Sequence, residues 1–179
     1  LGANVPKMNN ADMQSTGFEL DLGWRDRIKD FDYGVHLLLS DDRQKILKYP
    51  NTTGKINTWY VGKYNGDIWG FGTIGIAKSQ EEMDAHLASL PNGGQDALGV
   101  KWGAGDIMYR DLNGDGKISD GATLNDPGDK KVIGNTSPRF RFGLDLNASW
   151  KGIDVRLFFQ GVAKRDAWLN DNMFWGATG

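Results

Sequence analysis

The chain has 179 residues, with 21 Lys and Arg against 23 Asp and Glu, for a formal net charge of -2. That balance leaves no basic footprint for nucleic acid, and the absence of cysteine removes any disulfide frame or thiolate metal site. No apolar run reaches the roughly twenty residues of a membrane helix, which excludes helical spans and says nothing against a barrel. The 25 Gly and 7 Trp suit β structure with many turns and aromatic surfaces, and a cysteine-free chain fits an oxidising envelope location.

In chain order, the first element is a predicted hairpin within residues 1–40. Phe18, Leu20, Leu22 and Trp24 alternate with Gly17, Glu19, Asp21, Gly23 and Arg25. A period of two marks a strand. A short polar connection, Arg27 to Asp30, leads to Phe31, Tyr33, Val35, Leu37 and Leu39, which alternate with Asp32, Gly34, His36 and Ser40. Leu38 is the one break in the polar set.

Residues 41–137 form a long connection. Trp59-Tyr60-Val61-Gly62 and Ile68-Trp69-Gly70-Phe71-Gly72 predict brief strands or turns. Ser79-Gln80-Glu81-Glu82 opens one short helix: Ser79 caps it and Glu82 reaches back, a capping box. Met83, Leu87 and Leu90 supply its apolar stripe, and Pro91-Asn92-Gly93-Gly94 stops it. Such a helix packs on its own loop or docks a partner, and the first is the simpler reading.

The sharpest local motif is Asp111-Leu112-Asn113-Gly114-Asp115-Gly116-Lys117-Ile118. It matches the start of a calcium loop, with oxygen side chains at positions one, three and five, glycine at six and a backbone carbonyl at seven. Asp111, Asn113, Asp115 and Lys117 are therefore candidate calcium ligands. Position twelve is Ala122 where a bidentate Glu is expected, and no helix pattern flanks the loop. Asp120, Asp126 and Asp129 are the candidates for the missing carboxylate, Asp120 first among them. A structural calcium and a metal-free Asx-type turn are both open readings.

Residues 138–162 predict a second hairpin. Phe140, Phe142, Leu144, Leu146, Ala148 and Trp150 alternate with Arg139, Arg141, Gly143, Asp145, Asn147 and Ser149. After a Lys151-Gly152 turn, Ile153, Val155, Leu157 and Phe159 alternate with Asp154, Arg156 and Gln160, with Phe158 breaking the polar set. Residues 163–179 begin a further connection.

On alternation alone a soluble antiparallel sheet with one wet face is the simpler reading. The connections turn it. Four strands alternating in direction place both short turns at one end and the long segment at the other, the asymmetry of outer-membrane barrels with short periplasmic turns and longer extracellular loops. Strands of about ten residues also suit a tilted bilayer crossing. Four strands cannot close a barrel, which needs about eight. A piece of a larger chain is therefore expected, since no start Met or signal peptide precedes Leu1.

Catalytic groupings are missing from the sequence. The two histidines, His36 and His86, fall in a predicted strand and a predicted helix without a second histidine nearby, so a zinc site is not expected. No phosphate loop, nucleophile elbow or framed carboxylate pair appears, and an enzyme is not expected. Trp24, Trp150, Tyr33 and Phe31 fall at strand ends, where barrel girdles place aromatics. Trp59, Trp69, Trp102, Tyr109, Trp168 and Trp175 suit mini-cores within loops, with sugar stacking as the alternative.

Several phrases resemble the SusC/RagA family of TonB-dependent transporters. They are Gly105-Asp106-Ile107 with Tyr109 through Ile118, and Val132-Ile133-Gly134-Asn135 followed by Ser137-Pro138-Arg139-Phe140 and Gly143-Leu144. Phe158-Phe159-Gln160-Gly161, Thr16 to Leu20, and Val61-Gly62 through Gly66-Asp67-Ile68-Trp69-Gly70-Phe71 match as well. The resemblance spans nearly the whole chain. It implies an all-β protein: part of a 22-stranded antiparallel transmembrane barrel of the outer membrane, with an N-terminal plug, as is typical of Bacteroidetes. It also implies TonB-energised import of oligosaccharides or peptides beneath a SusD-like surface lipoprotein, with TonB engaged through an N-terminal part not present here. In such a wall Asp145, Asn147, Asp154, Arg156 and Gln160 would line the lumen, while Phe140, Leu144, Leu146, Val155 and Leu157 would face membrane lipid. The rival reading is a soluble, calcium-stabilised β-sandwich acting as a carbohydrate-binding module; a plain porin without energy coupling comes third.

Overall fold

The computed structural model describes residues 9–168. Trp175 and the last residues of the final connection lie outside them. The described chain is mostly strand: β1 (Asp12–Ile28), β2 (Phe31–Lys48), β3 (Asp67–Phe71), β4 (Thr73–Ile76), β5 (Ile107–Tyr109), β6 (Lys130–Asn135), β7 (Arg139–Trp150) and β8 (Ile153–Lys164), with one helix, α1 (Gln80–Ala88). It divides into two compact units, described separately below.

One unit takes residues 13–45, 64–66 and 135–168. Its core is a four-stranded antiparallel sheet in the order β1-β2-β7-β8, open at both edges. The register runs from Phe31↔Trp150 to Ser40↔Arg141 between β2 and β7, and from Arg139↔Lys164 to Trp150↔Ile153 between β7 and β8. Lys151 and Gly152 both take positive φ, 48° and 84°. A two-residue hairpin needs that left-handed pair to match the strand twist.

The first hairpin differs from expectation in two ways. Its turn is only Lys29-Asp30, because β1 continues through Arg27 and Ile28, which the expected connection held. Both strands also run well past the apolar alternation, to 17 and 18 residues. Backbone pairing extends a strand wherever a partner is available, whatever its side chains, so a hydrophobic pattern marks only the two-faced part.

The other unit takes residues 9–12, 46–63 and 67–134. It holds two small sheets, β3 with β6 and β4 with β5. Ser79 caps α1 by accepting from the Glu82 N–H at 3.3 Å. The Glu82 carboxylate reaches the Lys78 N–H at 2.7 Å, one residue beyond the usual capping box. Met83 is fully buried with Ala77 and Met108, and Leu87 and Trp102 pack against them. The helix therefore packs on its own loop.

Candidate functional site

The four-stranded sheet sorts its side chains by register. Asn147 faces Arg156 across the strand pair, Ser149 faces Asp154, and Gly143 faces Gln160. Residues directly opposite in a ladder share a face. Asp145, Asn147, Asp154, Arg156 and Gln160 therefore lie on one polar face, as the alternation predicts. The opposite face pairs Leu144 with Phe159 and Leu146 with Leu157. It is open: Val155, Leu157 and Phe159 are each about half exposed.

Polar side chains on this face pair between strands. His36 Nε2 lies 2.6 Å from Asp21 Oδ1, and His36 itself faces Asp145 in the ladder. Arg156 Nε donates to both Asp145 oxygens, at 3.1 and 3.0 Å. Asp21, His36, Asp145 and Arg156 thus form a row with one residue from each strand. Beside it lies a shallow cavity of about 770 Å³ lined by Gly23, Trp24, Arg25, Val35, His36, Asp145, Asn147 and Arg156. Gly34 makes room for one of its walls: a Cβ there would come within 2.6 Å of the Asn147 side chain.

Two apolar residues interrupt the polar face, and the register explains both. Leu38 and Phe158 approach the position a Cβ would take on Gly143, at 3.8 and 3.9 Å. They pack over the one residue between them that has no side chain. The alternation already assigns Asp21, Gly23 and Arg25 to the polar set of β1; the place of Asp21 in the row follows only from which residue faces which.

The Asp111–Ile118 loop, in the other unit, is held by its own backbone. Asp111 accepts from the Gly114 and Gly116 N–H at 2.6 and 2.9 Å. Asn113 accepts from Asp115 at 3.0 Å, and Asp115 from Lys117 at 3.1 Å. Burial pushes the Asp111 carboxyl up, yet the N–H groups of Gly116, Gly114, Asp115 and Asn113 together bring it below its ordinary range. Ile118 is buried and anchors the loop through its N–H to the Gly94 carbonyl at 2.7 Å.

The fit to calcium is incomplete. Asp120 pairs with Lys130. Asp126 turns to the Gly128 N–H at 3.3 Å. Asp129 is fully buried and accepts from the Leu112 and Ser119 N–H at 2.7 and 2.6 Å. Among the described residues no three His, Cys, Asp or Glu side chains converge to hold a metal ion. The loop supplies Asp111, Asn113, Asp115 and the Lys117 carbonyl, and the closing bidentate carboxylate that a seven-coordinate ion takes is absent from that set.

The loop aromatics form small clusters. Tyr49 and Trp59 lie 5.8 Å apart, Tyr60 and Trp69 6.4 Å, and Trp102 and Tyr109 6.2 Å between ring centroids. His86 is buried against Gln95 at 3.0 Å, and Gln95 in turn bonds the Ile107 carbonyl and the Tyr109 N–H of β5. That histidine ties helix to strand.

No family model matches the chain. It is similar to TonB-dependent receptor P26 of Formosa agariphila, 30% identical over 173 residues that cover 90% of this chain and 16% of that receptor. TonB-dependent receptor P3 of the same organism is 22% identical over 173 residues, covering 89% of this chain and again 16% of the receptor. The chain thus spans about a sixth of the length of the curated relatives it matches, and the likeness supports part of a TonB-dependent receptor.

Proposed function

We propose that the chain builds part of the wall, and one large outer loop, of a TonB-dependent outer-membrane importer of the SusC/RagA type. The observation that carries this reading is the two-faced open sheet: a polar, charge-paired face backed by an uncovered apolar one, on strands long enough to cross a bilayer. Similarity to two TonB-dependent receptors over nearly the whole chain supports it.

In this reading the polar face borders the lumen. Arg156 balances Asp145 and His36 hydrogen-bonds Asp21, so the wall offers hydrogen bonds more than a single-sign field. That chemistry suits neutral solutes rich in hydroxyl or amide groups, an oligosaccharide or a peptide. A SusD-like lipoprotein would capture the solute outside, and TonB would supply the energy through another part of the full-length protein. The Asp111–Ile118 turn would stiffen the outer loop through its own backbone bonds, without requiring calcium.

The test is extraction of the full-length native protein with identification of what copurifies. Recovery from outer membranes alone, with a surface lipoprotein attached and uptake lost when TonB is deleted, is the expected result. Recovery as a soluble monomer would overturn the barrel and favour the carbohydrate-binding module.

A further inference from the structure

One arginine of the four-stranded sheet stands outside its pairing. Arg139, Arg141 and Arg156 hold Asp41, Asp42 and Asp145. Arg27 lies 3.6 Å from Asp32, and Arg43 sits over the Tyr64 ring at 5.3 Å. Among the described residues the Arg25 guanidinium has neither an ion pair nor a hydrogen bond. Arg25 belongs to the polar set of β1 and lines the cavity of about 770 Å³.

The register fixes what stands beside it. β1 and β2 are neighbours in the sheet, joined by the Lys29-Asp30 turn, and a Cβ on Gly23 would meet the His36 ring at 3.8 Å. Gly23 therefore faces His36, and two residues on, Arg25 faces Gly34. Gly34 in turn faces Asn147. The Asn147 amide lies over that glycine, since a Cβ there would come within 2.6 and 2.8 Å of Asn147 Oδ1 and Nδ2. Arg25 and Asn147 thus flank a residue with no side chain, on strands two spacings or about 10 Å apart.

The cavity offers Arg25 no anion of its own. Asp145 is the one carboxylate in its lining, and Arg156 takes it up through Nε and Nη2. His36 is bonded to Asp21. Asp32, further along the same face, lies against Arg27. What remains is a guanidinium fork and a side-chain amide, both open to the same space.

We infer that Arg25 and Asn147 form a seat for one carboxylate across Gly34. The arginine fork matches the two oxygens of a carboxylate with parallel N–H bonds, and Asn147 Nδ2 adds a third donor. A single positive charge suits a singly charged carboxylate better than a doubly charged phosphate. The rest of the face is paired within itself, so the seat adds one anionic point of recognition to it. The carboxylate comes from the imported solute or from another segment of the full-length receptor. The first source rests on the import reading above; the seat itself rests on the geometry of the sheet.

Phenylglyoxal labelling of arginines in the intact full-length receptor, mapped by mass spectrometry, tests this with acetate as the probe and chloride at equal ionic strength as the control. If the seat is open to solutes, Arg25 labels readily, and acetate at twice its dissociation constant slows that labelling about threefold while Arg27 labels as before. Asn147→Ala should remove most of the slowing. Asn147→Asp, which places the chain's own carboxylate in the seat, should protect Arg25 without acetate. If another segment of the receptor fills the seat, Arg25 resists labelling from the start and Asn147→Ala relieves the resistance. Equal rates in acetate and chloride, or resistance that Asn147→Ala leaves intact, would overturn the seat. Neither result bears on the import reading, which falls only if the receptor is recovered as a soluble monomer.

Discussion

Leu144 and Asn147 stand three residues apart on β7 and therefore on opposite faces of one sheet. If the apolar face meets lipid, Leu144→Arg should cost about 2–4 kcal/mol at mid-membrane, while Asn147→Arg costs far less. Equal losses in urea-unfolding titrations of the full-length barrel would speak against the membrane assignment. Asp111 offers a second test, in the loop. Its folded carboxyl is held below the ordinary value of 3.8, so its contribution is complete above that value and vanishes as pH falls through the folded one. Asp111→Asn should flatten the loss of loop protection as pH falls below 3.8, measured by exchange at Gly114 and Gly116. If backbone donors alone shape this turn, chelators leave that protection unchanged at neutral pH; a large drop would favour a bound calcium.

Among the elements, α1 is the easiest to test because its cap is one bond. Ser79→Ala should destabilise the helix by about 1 kcal/mol, seen as faster exchange over Gln80 to Ala88 with the four-stranded sheet unaffected. The second hairpin depends on Lys151-Gly152, where Gly152 has φ 84°. Gly152→Val forces a branched side chain into the left-handed region and should lower the yield of assembled barrel more than Lys151→Asn, which keeps a residue tolerant of that region. The strands' existence, and much of their extent, were legible because two-faced strands write their period into the chain. Their ends were not. β1 absorbed Arg27 and Ile28 from the expected connection, and β2 added Asp41 to Lys48, since backbones pair whatever side chains they carry.

For the molecule as a whole, the uncovered apolar face and the two open sheet edges require other surfaces to complete them. Lipid and further strands are the occupants the proposed barrel supplies. Each part of the candidate wall was visible to a different degree. Asp145, Asn147, Asp154, Arg156 and Gln160 share a face because alternation dictates it, which any register preserving the two faces would keep. The pairing of Asp21 with His36 and the packing of Leu38 and Phe158 over Gly143 depended on which residue stands opposite which. Alternation is silent on that point.

By itself the sequence determined the two hairpins, their faces, the helix and the tight Asp-rich turn, because each follows from short-range period, capping or glycine geometry. The tertiary structure alone decided the strand order β1-β2-β7-β8, which brings residues about a hundred positions apart into one ladder. It also decided where β2 and β7 part, and that Asp129, buried and bonded to Leu112 and Ser119, closes the acidic turn from outside the motif. Those facts rest on contacts between distant segments, and no local pattern of residues encodes the free-energy balance that selects them.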